Sequence, residues 1–221
     1  MQRVVEPELM DEARQVLAYA EADFSEPNSN FVELLKQRHG DHLGGSCLDL
    51  GCGPGDICFR LAQQFPDLQI IGVDGSSPML EYARQSQNGR DLAHRVIFEQ
   101  HRLPSDDLPK HRFDVITSNS LLHHLHAPEV LWQTITQCGK AGSVIHVMDL
   151  YRPQNERDAA QIVETYAAEE PDVLKKDFYH SLLAAFSPAE IASQLQEAGL
   201  TGLTMELTSD RHILISGILE H

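Results

Sequence analysis

The stretch Cys47–Arg60, CLDLGCGPGDICFR, decides the fold. A short apolar strand runs directly into Gly51, Gly53 and Gly55, and a helical pattern begins at once. Glycine lets the backbone turn tightly and admits a ligand against the peptide groups with no Cβ in the way. A first strand–helix turn of this kind lies at the carboxyl edge of an open α/β sheet, where ligands collect. The next strand ends in Asp74, within IIGVDGSSPM, 19 residues beyond Gly55. An acid there is placed to accept both hydroxyls of a ribose. It could equally cap the helix that begins near Pro78.

Working outward, short apolar runs at Cys47–Leu50, Gln69–Val73, Arg95–Glu99, Phe113–Ser118 and Ser143–Asp149 read as strands. Helical periods fill about 55–65, 77–87 and 127–138 between them. This alternation predicts a doubly wound α/β fold, a parallel sheet with helices on both faces. Residues 1–45 read as two helices, Glu8–Asp23 and Asn28–Arg38, broken at Glu26-Pro27-Asn28. Beyond the sheet run, a helix over Asn155–Glu170 is closed by Pro171. Another over Ser187–Ala198 has Ser187 as N-cap, Pro188 in its first turn, Glu190 at the capping-box position and Gly199 at its end. Leu203–Thr208 and His212–Ile218 form an antiparallel hairpin through Ser209-Asp210-Arg211.

At 221 residues the chain is one large domain, able to bury a core without disulfides or a structural metal. With 42% hydrophobic and 23% charged residues it has the composition of a soluble globular protein. A formal charge of -16 argues against nucleic-acid and anionic-membrane partners, which broad positive surfaces attract. No apolar run approaches the ~20 residues of a membrane span, and the N-terminal segment has no secretory pattern. Cys47, Cys52, Cys58 and Cys138 form no CxxC pair, which suits reduced thiols and a cytoplasmic location. Leu219-Glu220-His221 reads as an expression-tag remnant.

The dinucleotide fingerprint is G-x-G-x-x-G, with a pyrophosphate at the helix N-terminus. Here the loop is G-x-G-x-G, and Asp56 stands where the third glycine of that fingerprint falls. A carboxylate there repels a pyrophosphate and favours a ligand without phosphates that carries positive charge. Asp49 adds a second acid at the same crevice. Together they suit an adenosyl sulfonium with an α-amino group.

These residues resemble the class I S-adenosylmethionine-dependent methyltransferases. The resemblance rests on LDLGCGPGD, VDGSSPMLEYAR, FDVITSNSLLHHL and VIHVMDL, and runs from about Phe31 to the C-terminal hairpin. It implies a Rossmann-like seven-stranded sheet of order 3-2-1-4-5-7-6 with strand 7 antiparallel. It further implies that Asp49, Gly51, Cys52 and Gly53 line the methionine end of the cofactor and that Asp74 holds the ribose. Gly75 and Met79 would border the adenine, and Asn119 and Ser120 would meet the amino group or the sulfonium side. Many relatives carry Gly-Asp-Ala after the third strand; here the stretch is Gln100-His101-Arg102-Leu103-Pro104. The adenine contact then falls to backbone groups or to Gln100, His101 or Arg102.

Methyl transfer from a sulfonium needs alignment and water exclusion more than a base. His123, His124 and His126 follow the fourth strand, and His123 or His124 is a candidate proton acceptor. Asp149, ending the fifth strand, faces the same crevice. His146, inside that strand, reads as a core histidine. No metal site is expected, for want of H-E-x-x-H or a cysteine partner. Tyr19, Phe31, Tyr179 and His180 are expected against a small-molecule acceptor. Arg152 joins them if it meets a substrate carboxylate, the other reading being a salt bridge. The helices of 1–45 and an insertion over 151–186 would form a lid over a methyltransferase domain spanning 46–218. Two rivals stay open: an NAD-dependent oxidoreductase, and a non-catalytic subunit that binds S-adenosylmethionine. The acceptor, the methylated atom and the oligomeric state are unassigned.

Overall fold

A computed structural model of the chain describes residues 1–7, 9, 11 and 13–220. The elements run α1 (Ala13–Glu21), α2 (Ser25–His39), β1 (Gly44–Leu50), α3 (Asp56–Gln64), β2 (Asp67–Asp74), α4 (Ser77–Gln87), β3 (Val96–Gln100), β4 (Phe113–Asn119), α5 (Glu129–Cys138), β5 (Gly139–Leu150), α6 (Glu156–Ala167), α7 (Asp172–Ala184), α8 (Pro188–Glu197), β6 (Leu203–Leu207) and β7 (His212–Ile218). A 3-10 turn, Leu122–His124, follows β4. The seven strands form one sheet of order β3-β2-β1-β4-β5-β7-β6. β1 to β5 are parallel, and β7 runs antiparallel to both β5 and β6.

The pleat divides the core between the two faces. Cys47 of β1 and Val115 of β4 face a layer built with Phe31, Leu35, Leu61 and Leu80. Their neighbours Leu48 and Ile116 face the opposite layer, with Trp132, Ile135, Ile191 and Leu195. A strand buried on both faces reads as a continuous apolar run, which is why the central strands were visible as such.

Three expectations need correction. Pro27 does not break α2 but sits in its first turn, where the missing N–H has no helical partner to lose; the Asn28 amide donates to the Phe24 carbonyl at 3.0 Å. Residues 172–184, expected to lie between two helices of the insertion, themselves form α7, with Pro171 as the residue before its first turn. Leu219, set aside as tag remnant, is 3% exposed and its amide donates to the Ser143 carbonyl. The expected start of the first helix at Glu8 lies outside the described residues, as does His221. The α8 capping box forms as read, Ser187 and Glu190 each satisfying the other's backbone amide.

Candidate active site

Four adjacent parallel strands end in polar side chains at one edge of the sheet: Asp49 near the end of β1, Asp74 on β2, Asn119 on β4 and Asp149 on β5. The glycine loop is pinned across this edge, since the Gly51 and Cys52 amides both donate to the Val73 carbonyl. Asp74 turns both carboxylate oxygens to the loop, accepting from the Gly53 amide at 2.9 Å and the Ser76 amide at 2.8 Å. Burial raises its pKa, and these backbone donors offset part of the rise. Asp49 is buried and accepts from the Thr117 hydroxyl at 2.7 Å and the Cys58 thiol at 3.2 Å. Burial pushes it up from 3.8 to about 6. Asp56 is not aimed freely at a ligand: it accepts from Asn28 Nδ2 at 2.8 Å and pairs with Arg60 at 2.6 Å. Asn28 also accepts a long bond from Asn119 Nδ2 at 3.4 Å, tying α2 to the end of β4. Asn119 Oδ1 is left buried with no partner. Ser120, next in the chain, holds the left-handed φ of 59°, an uncommon conformation that concentrates at functional sites.

Three neighbouring cavities with shared lining residues occupy this edge among the described residues. One, of about 100 Å³, is bordered by Gly53, Asp74, Gly75, Met79, His101 and Arg102. A second, of about 250 Å³, lies against Asp49, Cys52, Gly53 and the start of α3. The third, of about 340 Å³, is bounded by the α1–α2 turn, by His123 and His124, and by Tyr166, Asp177, Phe178 and Ser181 of α6 and α7. Tyr19 and Asn119 line all three. Burial pushes the Tyr19 hydroxyl up to about 12.

At the junction of the first and third cavities stands a polar cluster. Asp149 accepts from the Leu122 and Leu150 amides, each at 2.7 Å, and holds His123 Nδ1 at 2.6 Å. Burial opposes the charged imidazole, yet Asp149, followed by Glu6, raises the pKa of His123. His124 is the opposite case, pushed well below 6.5 by burial and by His123 beside it. The two rings lie 4.1 Å apart. Glu6, absent from the sequence reading, reaches this cluster from the N-terminal segment: Oε1 lies 3.6 Å from His123 Nε2 and 3.1 Å from His124 Nδ1. Burial raises the pKa of Glu6.

Of the expected site residues, Asp49, Gly51, Cys52, Gly53, Asp74, Gly75, Met79, His101, Arg102, Asn119, Ser120, His123, His124 and Tyr19 line these cavities. Others do not. Gln100 is exposed and donates to the Gly75 carbonyl at 3.1 Å. Phe31 is wholly buried, its ring 4.7 Å from His146, so it packs α2 onto the sheet. Arg152 pairs with Glu190 at 2.9 Å and donates to the Ala185 carbonyl, which takes its charge to the start of α8. Tyr179 packs on the cluster of Leu150, Ala159 and Leu182; it and His180 stand off the cavities, whose lining comes from Asp177, Phe178 and Ser181 instead. His146 is a core histidine, bonded to the Phe31 carbonyl and pushed down to about 3 by burial.

The donor set fits a sulfonium nucleoside. Asp74 keeps acceptor capacity for ribose hydroxyls, Asn119 Oδ1 is an orphaned acceptor, and a Cβ placed on Gly53 meets nothing within 4 Å, so the loop leaves open space there. The methyltransferase-domain family profile matches residues 41–199, well over half of the chain. The chain belongs to the methyltransferase-domain family. Among curated proteins it is similar to phosphoethanolamine N-methyltransferase 1 of Arabidopsis thaliana, 27% identical over 86% of this chain and 35% of that one. The chain thus spans about a third of the length of such relatives. A SAM-dependent methyltransferase from Aquifex aeolicus has the same fold, with a TM-score of 0.69 at 16% identity over 95% of this chain and 99% of that one. So does phosphoethanolamine N-methyltransferase 2 of Haemonchus contortus, in complex with phosphomonomethylethanolamine and S-adenosylhomocysteine. Its TM-score is 0.70 at 14% identity over 95% of this chain and 58% of that one.

Proposed function

We propose that this chain transfers a methyl group from S-adenosylmethionine to a nucleophilic atom of a small-molecule acceptor held in the third cavity. The observation that carries this reading is the wall the cavities share: Tyr19 and Asn119 border the cofactor side and the acceptor side alike. When bound, S-adenosylmethionine supplies an already activated methyl group. Asp74 binds the ribose, with Gly75 and Met79 beside the adenine; Asp49 and Asn119 Oδ1 receive the cationic methionyl amino group. His101 and Arg102 replace the missing acid after β3. Tyr19 walls the passage between the cavities.

His123, fixed by Asp149, and His124 stand where cofactor and acceptor meet, as the groups that hold the acceptor atom and relieve it of its proton. Helices α1, α6 and α7 enclose the chamber and exclude water, which makes them a lid. Gln15 of α1 bonds Asp177 of α7 at 3.0 Å, joining its two halves. A chamber of about 340 Å³ falls within the size range of small-molecule sites and supports a small acceptor over a macromolecular one.

A thermal-shift titration with S-adenosylhomocysteine, S-adenosylmethionine and NAD tests the first half of the reading. A ligand at ~100 times its dissociation constant adds about 2.7 kcal/mol, and the two sulfur nucleosides alone are expected to stabilise. Release of S-adenosylhomocysteine across a panel of amines, phosphorylated amines, phenols and thiols tests the second. Binding without turnover on any of them would mark a non-catalytic cofactor-binding subunit.

A further inference from the structure

We propose that Glu6, His123 and His124 bind one divalent first-row cation of the zinc class. They are the group of three such side chains, among the described residues, whose ligand atoms all lie within 4.8 Å of one another. Glu6 Oε1 is 3.6 Å from His123 Nε2 and 3.1 Å from His124 Nδ1. Bonds of about 2.0–2.2 Å in a tetrahedral site put ligand atoms about 3.3 Å apart, so both distances bracket the required edge. The third pair, between the two imidazoles, lies within 4.8 Å and closes to that edge by movement of the rings.

The surroundings hold His123 as a metal ligand is held. A ligating histidine gives its other ring nitrogen to a carboxylate or a backbone carbonyl, which fixes the ring and turns a lone pair to the metal. Here His123 Nδ1 is on Asp149 at 2.6 Å, itself anchored by two backbone amides. His124 Nδ1 is buried with no hydrogen-bond partner among the described residues, although Glu6 Oε1 is near. A carboxylate oxygen facing a ring nitrogen with no hydrogen bond between them is a contact that a cation would bridge. The Ser181 hydroxyl donates to Glu6 Oε1 at 3.1 Å, orienting the carboxylate from α7. Arg3 fastens the segment that carries Glu6, donating from Nη2 to the carbonyls of His123 and Leu125, each at 2.9 Å.

Two imidazoles and one carboxylate with an open fourth position make the ligand set of catalytic rather than structural zinc sites. That position faces reacting groups, since His124 borders the cofactor cavity and the acceptor chamber and His123 borders the chamber. On the methyl-transfer reading above, metal-bound imidazoles act through the cation instead of as bases: a hydroxyl or thiol of the acceptor takes the fourth position and loses its proton to water more readily there. The sequence did not show this site because Glu6 lies in the N-terminal segment, more than half the chain length before the histidine pair.

The test uses the chain freed of any polyhistidine tag, stripped with chelator and dialysed against equimolar zinc or cobalt. One equivalent of zinc per chain is expected, and cobalt should show the visible bands of a four- or five-coordinate nitrogen–oxygen site. Glu6→Gln and His124→Gln should lose the equivalent, and Asp149→Asn should bind about 10–100-fold more weakly. Wild-type protein that takes up no stoichiometric metal overturns the proposal and leaves a shared proton in the cation's place. Metal retained by both folded ligand variants overturns it too. Should the variants fail to fold, the wild-type stoichiometry and cobalt spectrum decide. Calorimetry with S-adenosylhomocysteine on the same preparations separates the readings: nucleoside binding without metal sinks the cation alone, and metal without nucleoside binding sinks the methyl-transfer assignment.

Discussion

Asp49 is buried beneath the glycine loop, accepts from a hydroxyl and a thiol, and is raised by burial to about 6. The folded chain therefore holds this proton more tightly than the unfolded one. Stability falls as pH rises from about 4 to about 6 and is then level, a difference of about 3 kcal/mol at one pKa unit per 1.36 kcal/mol. Asp49→Asn removes that cost. Urea denaturation of the unliganded protein should show a gain of about 1–3 kcal/mol at pH 7 that shrinks steadily below pH 6 and is lost below about pH 4. The same variant should bind S-adenosylhomocysteine more weakly at pH 7, since the cationic amino group loses its counter-charge. A variant less stable at every pH would mean that the Thr117 and Cys58 bonds outweigh the burial of charge. Asp74 makes a different demand, because its oxygens already hold the Gly53 and Ser76 amides and, on the proposed reading, the ribose as well. Asp74→Ala should leave the fold intact and weaken S-adenosylhomocysteine by about 10–100-fold, the worth of hydrogen bonds to a charged group. Unchanged affinity by calorimetry would remove the ribose assignment.

Along a single element, the glycine loop separates folding from binding. Gly53 has φ 51° and open space where a Cβ would lie; Gly55 has φ 85° and a Cβ there would stand 2.6 Å from the Phe98 ring. Alanine at Gly53 should cost about 1–2 kcal/mol of backbone strain and lose much of the nucleoside affinity. Alanine at Gly55 adds a core clash, so its melting temperature should fall further for the same strain. Equal losses of stability would contradict this division. The loop was legible because glycine spacing and a terminal acid are local signals. Helix α7 was not, although Leu174, Phe178 and Leu182 repeat every four residues, because Pro171 reads as a stop as readily as a start. Without the phase of α7, Tyr179 and His180 could not be told from Asp177, Phe178 and Ser181. Phe31 and Arg152 failed for a related reason: residue type marks what a side chain can do, and only the packing of α2 and α8 decides where it points.

At the scale of the whole molecule, the parallel sheet was readable from alternation and its strand order from the resemblance, whereas the enclosure of the site depends on contacts between distant parts of the chain. Arg3 reaches the carbonyls of Ala184, His123 and Leu125. Val4 donates to Leu183, and Gln15 bonds Asp177. No local pattern reports such pairings. They place the N-terminal segment and α7 over the edge of the sheet, with Tyr19 where the three cavities meet. Tyr19→Ala should therefore weaken both S-adenosylhomocysteine and the acceptor by about tenfold or more, since an aromatic side chain is worth about 1.5–3 kcal/mol when buried. Tyr19→Phe, which keeps the ring, should spare most of that. Hydrogen exchange offers the matching measurement on the backbone. The sheet amides are protected with or without ligand, so binding should slow exchange mainly in α1 and α7, which rest on the core through fewer buried side chains. Protection confined to the glycine loop and α4 would mean that the helices stay in place whatever occupies the chamber, and that access to the acceptor site is not gated by a lid.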